Sequence, residues 1–420
     1  MITLKIHVST NGCEVGQLYS MHVQQFFLKN DPSSVVTEDP AEADLVILYA
    51  CGLTESTEKD SLLIINALKS RMKPSAKLVV WGCLAKVNPK SLSTSHTGPI
   101  FGPSDLSRFE EILRKTTRHQ CSVPIGVADA NVPIPRKTLG SDNPDFINDH
   151  ILYYLNKYLG KLDYKVSHRE PWNPPSSTFF VRVAEGCTSY CTYCSEHLVW
   201  GKVKSRPIEK VISEFETGLQ KGYNRFFLCA EDFGAYGVDI GTTACDLLRR
   251  IVNLNNDIDY RVIINEMSPQ YLKAMFSDFV EIFESGKIET LGCQVESGSD
   301  RILRLMGRRY TAQEWRKYML YINKEFPDIR LATHFMVGFP TETDEDFEAT
   351  LRLLDYPLFL KEITIFKFSG RPTLPASRMS GQISQSVKEL RFRRLRRKFL
   401  YMYSFNTTID CARSFIRRLE

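Results

Sequence analysis

The 420-residue sequence has no apolar run near the roughly 18 residues that a membrane-spanning helix needs. Its first ten residues, MITLKIHVST, contain no basic stretch followed by a long apolar one, which argues against a secretory signal and for the cytoplasm. With no sign of export, its eleven cysteines are expected as thiols or metal ligands rather than as a disulfide framework. No short internal repeat or low-complexity tract occurs, so no repeat array is indicated. Strong charge is also missing from most of the chain. Residues 381–420 hold ten Lys/Arg against Glu389, Asp410 and Glu420, a net +7 within a total of +5, so the preceding residues carry −2. Any general affinity for polyanions would have to come from that tail. One further lack is local. In RVAEGCTSYCTYC (182–194) three cysteines stand at spacings of four and three, with no fourth beside them.

What is present is the composition of an ordinary globular protein, 43% apolar and 25% charged, at a length that suggests about three domains. The runs LKIHVS (4–9), DLVILYA (44–50) and KLVVWG (77–82) read as buried parallel strands, with a helical crossover over 56–70. Cys13, Cys51 and Cys83 follow these runs at separations of one βαβ unit, about 30 residues or more. If the strands are neighbours, all three thiols reach one carboxyl-end edge, where open α/β sheets bind ligands. Prolines then bracket a helix-like stretch at 146–160, with Ile147, Ile151, Leu155 and Tyr158 on one face. This reads as a linker, 126–177, with an inserted helix. From 178 the βα rhythm resumes, with strands expected at 178–183, 224–229, 260–264, 288–296, 329–338 and 362–368. Acidic residues in TETDEDFEATLRLL mark a helix start. Six βα units suit an open barrel rather than a closed eight-stranded one. In the tail, Phe392, Leu395, Phe399 and Tyr403 share a helical stripe. That pattern fits either a docked amphipathic helix or an arginine-rich helix that meets RNA phosphates.

The sequence therefore predicts an α/β protein: an N-terminal open parallel-sheet domain (1–125), the linker, a partial (βα)6 barrel (178–380) and a basic C-terminal helix (381–420). Cys187, Cys191 and Cys194 fall on the loop after the first barrel strand, where βα barrels place their active sites. Iron–sulfur clusters normally take four thiolates. Three would leave one iron of a four-iron cluster open to a small molecule. A zinc site that borrows His197, or a set of plain reactive thiols, is the alternative. Cys121, Cys229, Cys245, Cys293 and Cys411 read as core or surface thiols, and His7, His22 and His334 as satisfied polar residues.

Cys-x3-Cys-x2-Cys, with Tyr193 as the aromatic before the last cysteine, resembles the signature of radical S-adenosylmethionine enzymes. More narrowly, the chain resembles the methylthiotransferase family in TNGCEVGQ, ADLVILYACGLTESTEKD and KLVVWGCLAK. The barrel resembles that family in VKSRP, LCAEDFGAYG, ESGSDRILRLMGRRYT, MVGFPTETDEDF and FKFSGRPTLPAS. The resemblance implies two 4Fe-4S clusters: one on Cys187, Cys191 and Cys194 that binds S-adenosylmethionine, and one on Cys13, Cys51 and Cys83 that carries the sulfur or methylthio group. It implies that Glu231 and Asp232 meet the cofactor's amino group, with helix capping by Asp232 as the plainer reading. Glu296 and Ser297 would meet its ribose or amino-acid portion. Val337, Gly338 and Phe339 would line the adenine through backbone contacts, or simply form a tight strand-to-helix turn.

The implied reaction is radical insertion of sulfur or methylthio at an unactivated C–H, with electrons from a reductase or flavodoxin-type donor. The substrate is a tRNA adenosine or, equally, a peptide or small molecule. A one-cluster radical enzyme of other chemistry, or a non-enzymatic iron–sulfur electron-transfer protein, is the alternative. The departures from the family lie on the substrate side. Glu296 stands where a glutamine is usual, Trp200 replaces an arginine, the tyrosine-rich insert is extra, and no strand-rich stretch for the family's small β-barrel precedes Glu420.

Overall fold

The computed structural model describes residues 3–117, 178–254 and 258–417. The expected linker helix over 146–160, the 125/126 boundary and Cys121 lie outside the described residues. The chain divides into two compact units: Met1–Ser177 with Leu198–Trp200, and the remainder from Thr178 to Glu420.

The first unit is built on an all-parallel sheet of β1 (Lys5–Thr10), β2 (Val35–Val36), β3 (Leu45–Tyr49), β4 (Lys77–Trp81) and β5 (Ile100–Phe101), in the order β2-β1-β3-β4-β5. Every residue of β3 is buried, as expected of a central parallel strand covered on both faces, and this is why it reads as an unbroken apolar run. The helix Glu55–Arg71 crosses from β3 to β4. Thr54 and Thr57 form a reciprocal cap at its start, and Ile64, Ile65 and Leu68 are set against Val46, Leu48 and Val80. Register aligns the carboxyl ends of three strands, with Thr10 beside Tyr49 and Tyr49 beside Trp81. Cys13, Cys51 and Cys83 follow those residues by three, two and two positions.

The second unit holds β6 (Thr178–Arg182), a short antiparallel ribbon of β7 (Ala184–Glu185) and β8 (Lys204–Ser205), then β9 (Arg225–Cys229), β10 (Arg261–Met267), β11 (Ile288–Cys293), β12 (Arg330–Val337) and β13 (Glu362–Lys367). Six of these form one parallel sheet in the order β13-β12-β11-β10-β9-β6, the partial (βα)6 barrel. Alternate residues such as Val181, Leu228, Ile264 and Phe335 enter a continuous core with the surrounding helices. Two strands differ from their sequence expectation. β10 runs on to Met267 through a shift of register against β11. β11 ends at Cys293, because the chain turns out of the sheet at Glu296 (φ 67°), which keeps only an isolated bridge to Phe335.

The helix Gln385–Arg417 docks on this unit. Leu395 is fully buried, Phe392 and Phe399 pack on the core, and the Tyr403 ring lies 5.5 Å from that of Phe359. Several of its cations are engaged at home. Arg391 binds Glu342 and Asp344, Arg394 binds Glu348, Lys398 binds Asp355, and the Lys388 ammonium donates to the Phe368 carbonyl. Among the described residues no helix is long and apolar enough to cross a membrane.

Candidate active site

In the barrel unit the β7–β8 ribbon closes the loop that carries Cys187, Cys191 and Cys194, pairing Ala184 with Ser205 and Glu185 with Lys204. The loop is tied down at several points. The Cys187 N–H donates to the Gly201 carbonyl (3.3 Å), Cys194 N–H to Cys191 O (3.1 Å), and Thr192 N–H to Met306 O (3.0 Å). The sulfurs receive backbone donors, Ser189 N–H to Cys187 Sγ (3.3 Å) and Glu196 N–H to Cys194 Sγ (3.5 Å). Burial nonetheless pushes the Cys187 thiol up to about 11, with the Asp232 carboxylate adding to it and the Ser189 N–H opposing it. Burial likewise raises Cys191 and Cys194, and each of these shifts carries a contribution from a charge on a sister cysteine or on Asp232. Three thiols on one short loop, two of them with backbone N–H donors on sulfur, form a donor set that a group of cations would complete. Among the described residues no three His, Cys, Asp or Glu side chains stand close enough to hold one metal ion.

Around this loop the strand ends bring a second layer. Asp232 is buried and accepts from Ser268 N–H (3.0 Å). Burial raises its carboxyl to about 6, against the pull of that N–H and of Arg308. Glu231, offered with it by the sequence, has one oxygen on the Arg182 guanidinium and the other on the Gly186 N–H (2.7 Å). It anchors the start of the cysteine loop. Glu296 and Arg308 form a buried pair (2.9 Å), and Arg308 also lies over the rings of Tyr193 (5.9 Å) and Tyr310 (5.7 Å). The Glu296 Oε2 atom is buried with no hydrogen bond. Ser297 is fully enclosed, its hydroxyl set toward Thr350 (3.4 Å) and accepting from Ser299 N–H, which makes it part of the turn that seats the helix Asp344–Arg352. Val337 and Phe339 are fully buried, and Gly338 donates its N–H to Glu342 (2.6 Å). That turn is a firmly held strand-to-helix connection, braced from the far side by Arg391.

Sequence reasoning missed Arg308, Arg182 and a lumen pair in which His334 Nε2 stands 3.7 Å from Glu266, itself bonded by the Gln294 amide (3.2 Å). Arg308 lay inside a stretch singled out for the resemblance. The other contacts join residues far apart in sequence and left no local signal.

The first unit assembles its own thiols. Cys13 stands at the N-cap position of the helix Glu14–Asn30, without a side-chain capping bond, and is exposed, while Cys51 and Cys83 are buried. The Cys51 backbone is clamped by Asn11, which accepts its N–H (2.9 Å), and by Ser61, whose hydroxyl donates to its carbonyl (2.6 Å). One phenol senses all three cysteines. Burial holds the Tyr49 hydroxyl well above its ordinary pKa, and charge on Cys83, Cys13 and Cys51 raises it further. Of the remaining cysteines, Cys229, Cys245 and Cys293 are buried, the last two in the barrel core. The side chain of Cys411 lies outside the described residues.

Residues 181–354 match the model of the radical SAM superfamily, and residues 5–101 that of a family described as uncharacterized protein family UPF0004. A probable threonylcarbamoyladenosine tRNA methylthiotransferase of Pyrococcus abyssi is 30% identical over 84% of this chain and 75% of its own length. A tRNA-2-methylthio-N(6)-dimethylallyladenosine synthase of Fervidobacterium nodosum is 31% identical over 84% and 73%. Among solved structures, the radical S-adenosylmethionine methyltransferase TsrM of Kitasatospora setae superposes with a TM-score of 0.59. It covers 89% of this chain and 75% of its own at 14% identity, which is a likeness of fold alone.

Proposed function

Because the chain belongs to the radical S-adenosylmethionine methylthiotransferase family, we propose that it adds a methylthio group to an adenosine of tRNA, using two four-iron clusters. The observation that carries this reading is the pair of three-cysteine sets: Cys13, Cys51 and Cys83 follow the carboxyl ends of three neighbouring parallel strands, and Cys187, Cys191 and Cys194 share the loop after β6 that the antiparallel β7–β8 ribbon closes. When bound, an open-iron cluster together with S-adenosylmethionine supplies the one-electron chemistry that opens an unactivated C–H bond.

The chain's own residues do the rest. Cys187, Cys191 and Cys194 hold the barrel cluster on a loop fixed by Glu231 and by the β7–β8 ribbon. Asp232, whose neighbours Ser268 and Arg308 leave it a buried carboxylate, takes the cofactor's ammonium. Glu296, steadied by Arg308, offers its second oxygen to the polar part of the same cofactor. The Val337–Phe339 turn supplies backbone contact to the adenine. Cys13, Cys51 and Cys83 hold the cluster that carries the sulfur, and a reductase or flavodoxin-type protein delivers electrons. The names of the relatives support tRNA as substrate. A peptide or small-molecule substrate has one observation in its favour: in the basic helix offered to phosphates by the sequence, Arg391, Arg394 and Lys398 are paired with carboxylates of their own unit.

Cysteine replacement separates the two halves of the chemistry. Cys187→Ala abolishes release of 5′-deoxyadenosine in an anaerobic assay with dithionite. Replacing Cys13, Cys51 and Cys83 together leaves that release intact and stops methylthio transfer, read by mass spectrometry of tRNA nucleosides. Continued 5′-deoxyadenosine from the first variant, or methylthio product from the second, contradicts the assignment.

A further inference from the structure

The amino-terminal thiols share a neighbour that a three-cysteine ligand set does not by itself require. Tyr49 ends β3 with its side chain 1% exposed and its hydroxyl 3.2 Å from Cys83 Sγ. Its ring lies in a cradle cut to its shape. A Cβ at Gly12 would stand 2.9 Å from the ring's Cδ1 and Cε1, one at Gly16 would stand 2.7 Å from Cε1, and one at Gly82 would stand 3.2 Å from Cδ1. Trp81 meets the ring edge-on at 5.0 Å. Gly16 lies in the first turn of the helix Glu14–Asn30, where glycine costs up to about 1 kcal/mol relative to alanine. The ring explains that choice, since any side chain at 12 or 16 would push the phenol off the cysteines.

Resting on the reading of Cys13, Cys51 and Cys83 as a cluster site, we propose that Tyr49 is a positioning residue of that cluster. Its O–H donates to the Cys83 sulfur, fixes the orientation of that ligand and raises the cluster's reduction potential. A metal-bound thiolate carries no proton, so the phenol must be the donor. A hydrogen bond to a ligand sulfur stabilises the more negative, reduced cluster more than the oxidised one, and such bonds are a recognised control on potential. The phenol is enclosed and held by its cradle, so the bond needs no reorganisation when the cluster forms.

The test uses the full chain, reconstituted anaerobically, with Cys187, Cys191 and Cys194 replaced by Ala so that only the amino-terminal site can hold iron. This background is expected to bind about four irons. Failure to bind them defeats the cluster reading and the inference with it. Tyr49→Phe keeps the ring in its cradle and removes only the O–H. It is expected to retain the iron while its midpoint potential, followed by electron paramagnetic resonance, moves to a lower value. A purely structural tyrosine would leave the potential where it was, and that result overturns the proposal. If Tyr49→Phe loses the iron, 3-fluorotyrosine placed at position 49 decides. The more acidic phenol donates more strongly and raises the potential, whereas an unchanged potential again overturns the proposal.

Discussion

The guanidinium of Arg308 is enclosed by a carboxylate, two phenols and the cysteine loop, and its partner Glu296 sits at a backbone conformation that side chains seldom adopt. Both members of the pair have side chains about one-tenth exposed or less. Removing one partner of such a pair leaves a buried charge without compensation, a loss of about 3–5 kcal/mol. Arg308→Met is therefore expected to lower the denaturant midpoint sharply, and adding Glu296→Gln to it should recover a good part of the loss. Equal stability of the single variant and the parent would show that the pair does not hold these strand ends together. The sequence contains four arginines in this stretch, Arg301, Arg304, Arg308 and Arg309, and nothing in their spacing tells which one pairs with Glu296. The helix Asp300–Met306 decides it. It ends at Gly307 with φ 80°, and the turn there carries the next residue back beneath Cys191 and Tyr193. Glu231 was legible as a carboxylate at a strand end, but not its engagement by Arg182 and Gly186, which are 49 and 45 residues away.

Elements were legible where one rule governs them and obscure where two compete. The parallel strands showed as unbroken apolar runs because both of their faces are covered, and their observed bounds lie within one to three residues of expectation. The acidic helix start at 343–346 was legible as well, but its wider use was not. Asp346 accepts from Thr343 at the cap and also from Ser299 and Arg301, tying the helix Asp344–Arg352 to the turn after Glu296. Burial pushes the Asp346 carboxyl up, yet the bonds from Arg301, Ser299 and Thr343 outweigh it and hold the carboxyl at about 2, below its ordinary 3.8. A pKa depressed by folding stabilises the protein above the unfolded value and ceases to do so as pH falls through the folded one. The advantage of the parent over Asp346→Asn is thus expected to be about 1–2 kcal/mol at pH 5 to 7. It should shrink between pH 4 and pH 2, as read from urea unfolding at each pH. A difference that stays constant down to pH 2 would contradict the assigned role. In the C-terminal helix, the sequence showed the apolar stripe but not the partners of the basic residues. Glu342, Asp344, Glu348 and Asp355 lie on other elements, so Arg391, Arg394 and Lys398, which looked free for phosphates, are paired by docking.

At the scale of the whole molecule, each unit sets out three thiols by its own route: in the first, one follows each of three neighbouring parallel strands, and in the second all three share the loop after β6. In the first unit this was a conditional expectation, dependent on β1, β3 and β4 being neighbours, and the sheet order makes them so. What could not be read was the tyrosine beside the thiols, because Tyr49 looks like one more apolar residue in a buried strand and its glycine cradle is drawn from two separate stretches. Two three-thiolate sites in one chain are the central claim, and metal stoichiometry tests it most directly. The purified chain, reconstituted without oxygen, should hold about eight irons and as many sulfides, and should release 5′-deoxyadenosine when given dithionite and S-adenosylmethionine. About four irons with the same release would contradict a second cluster and with it the proposed source of sulfur.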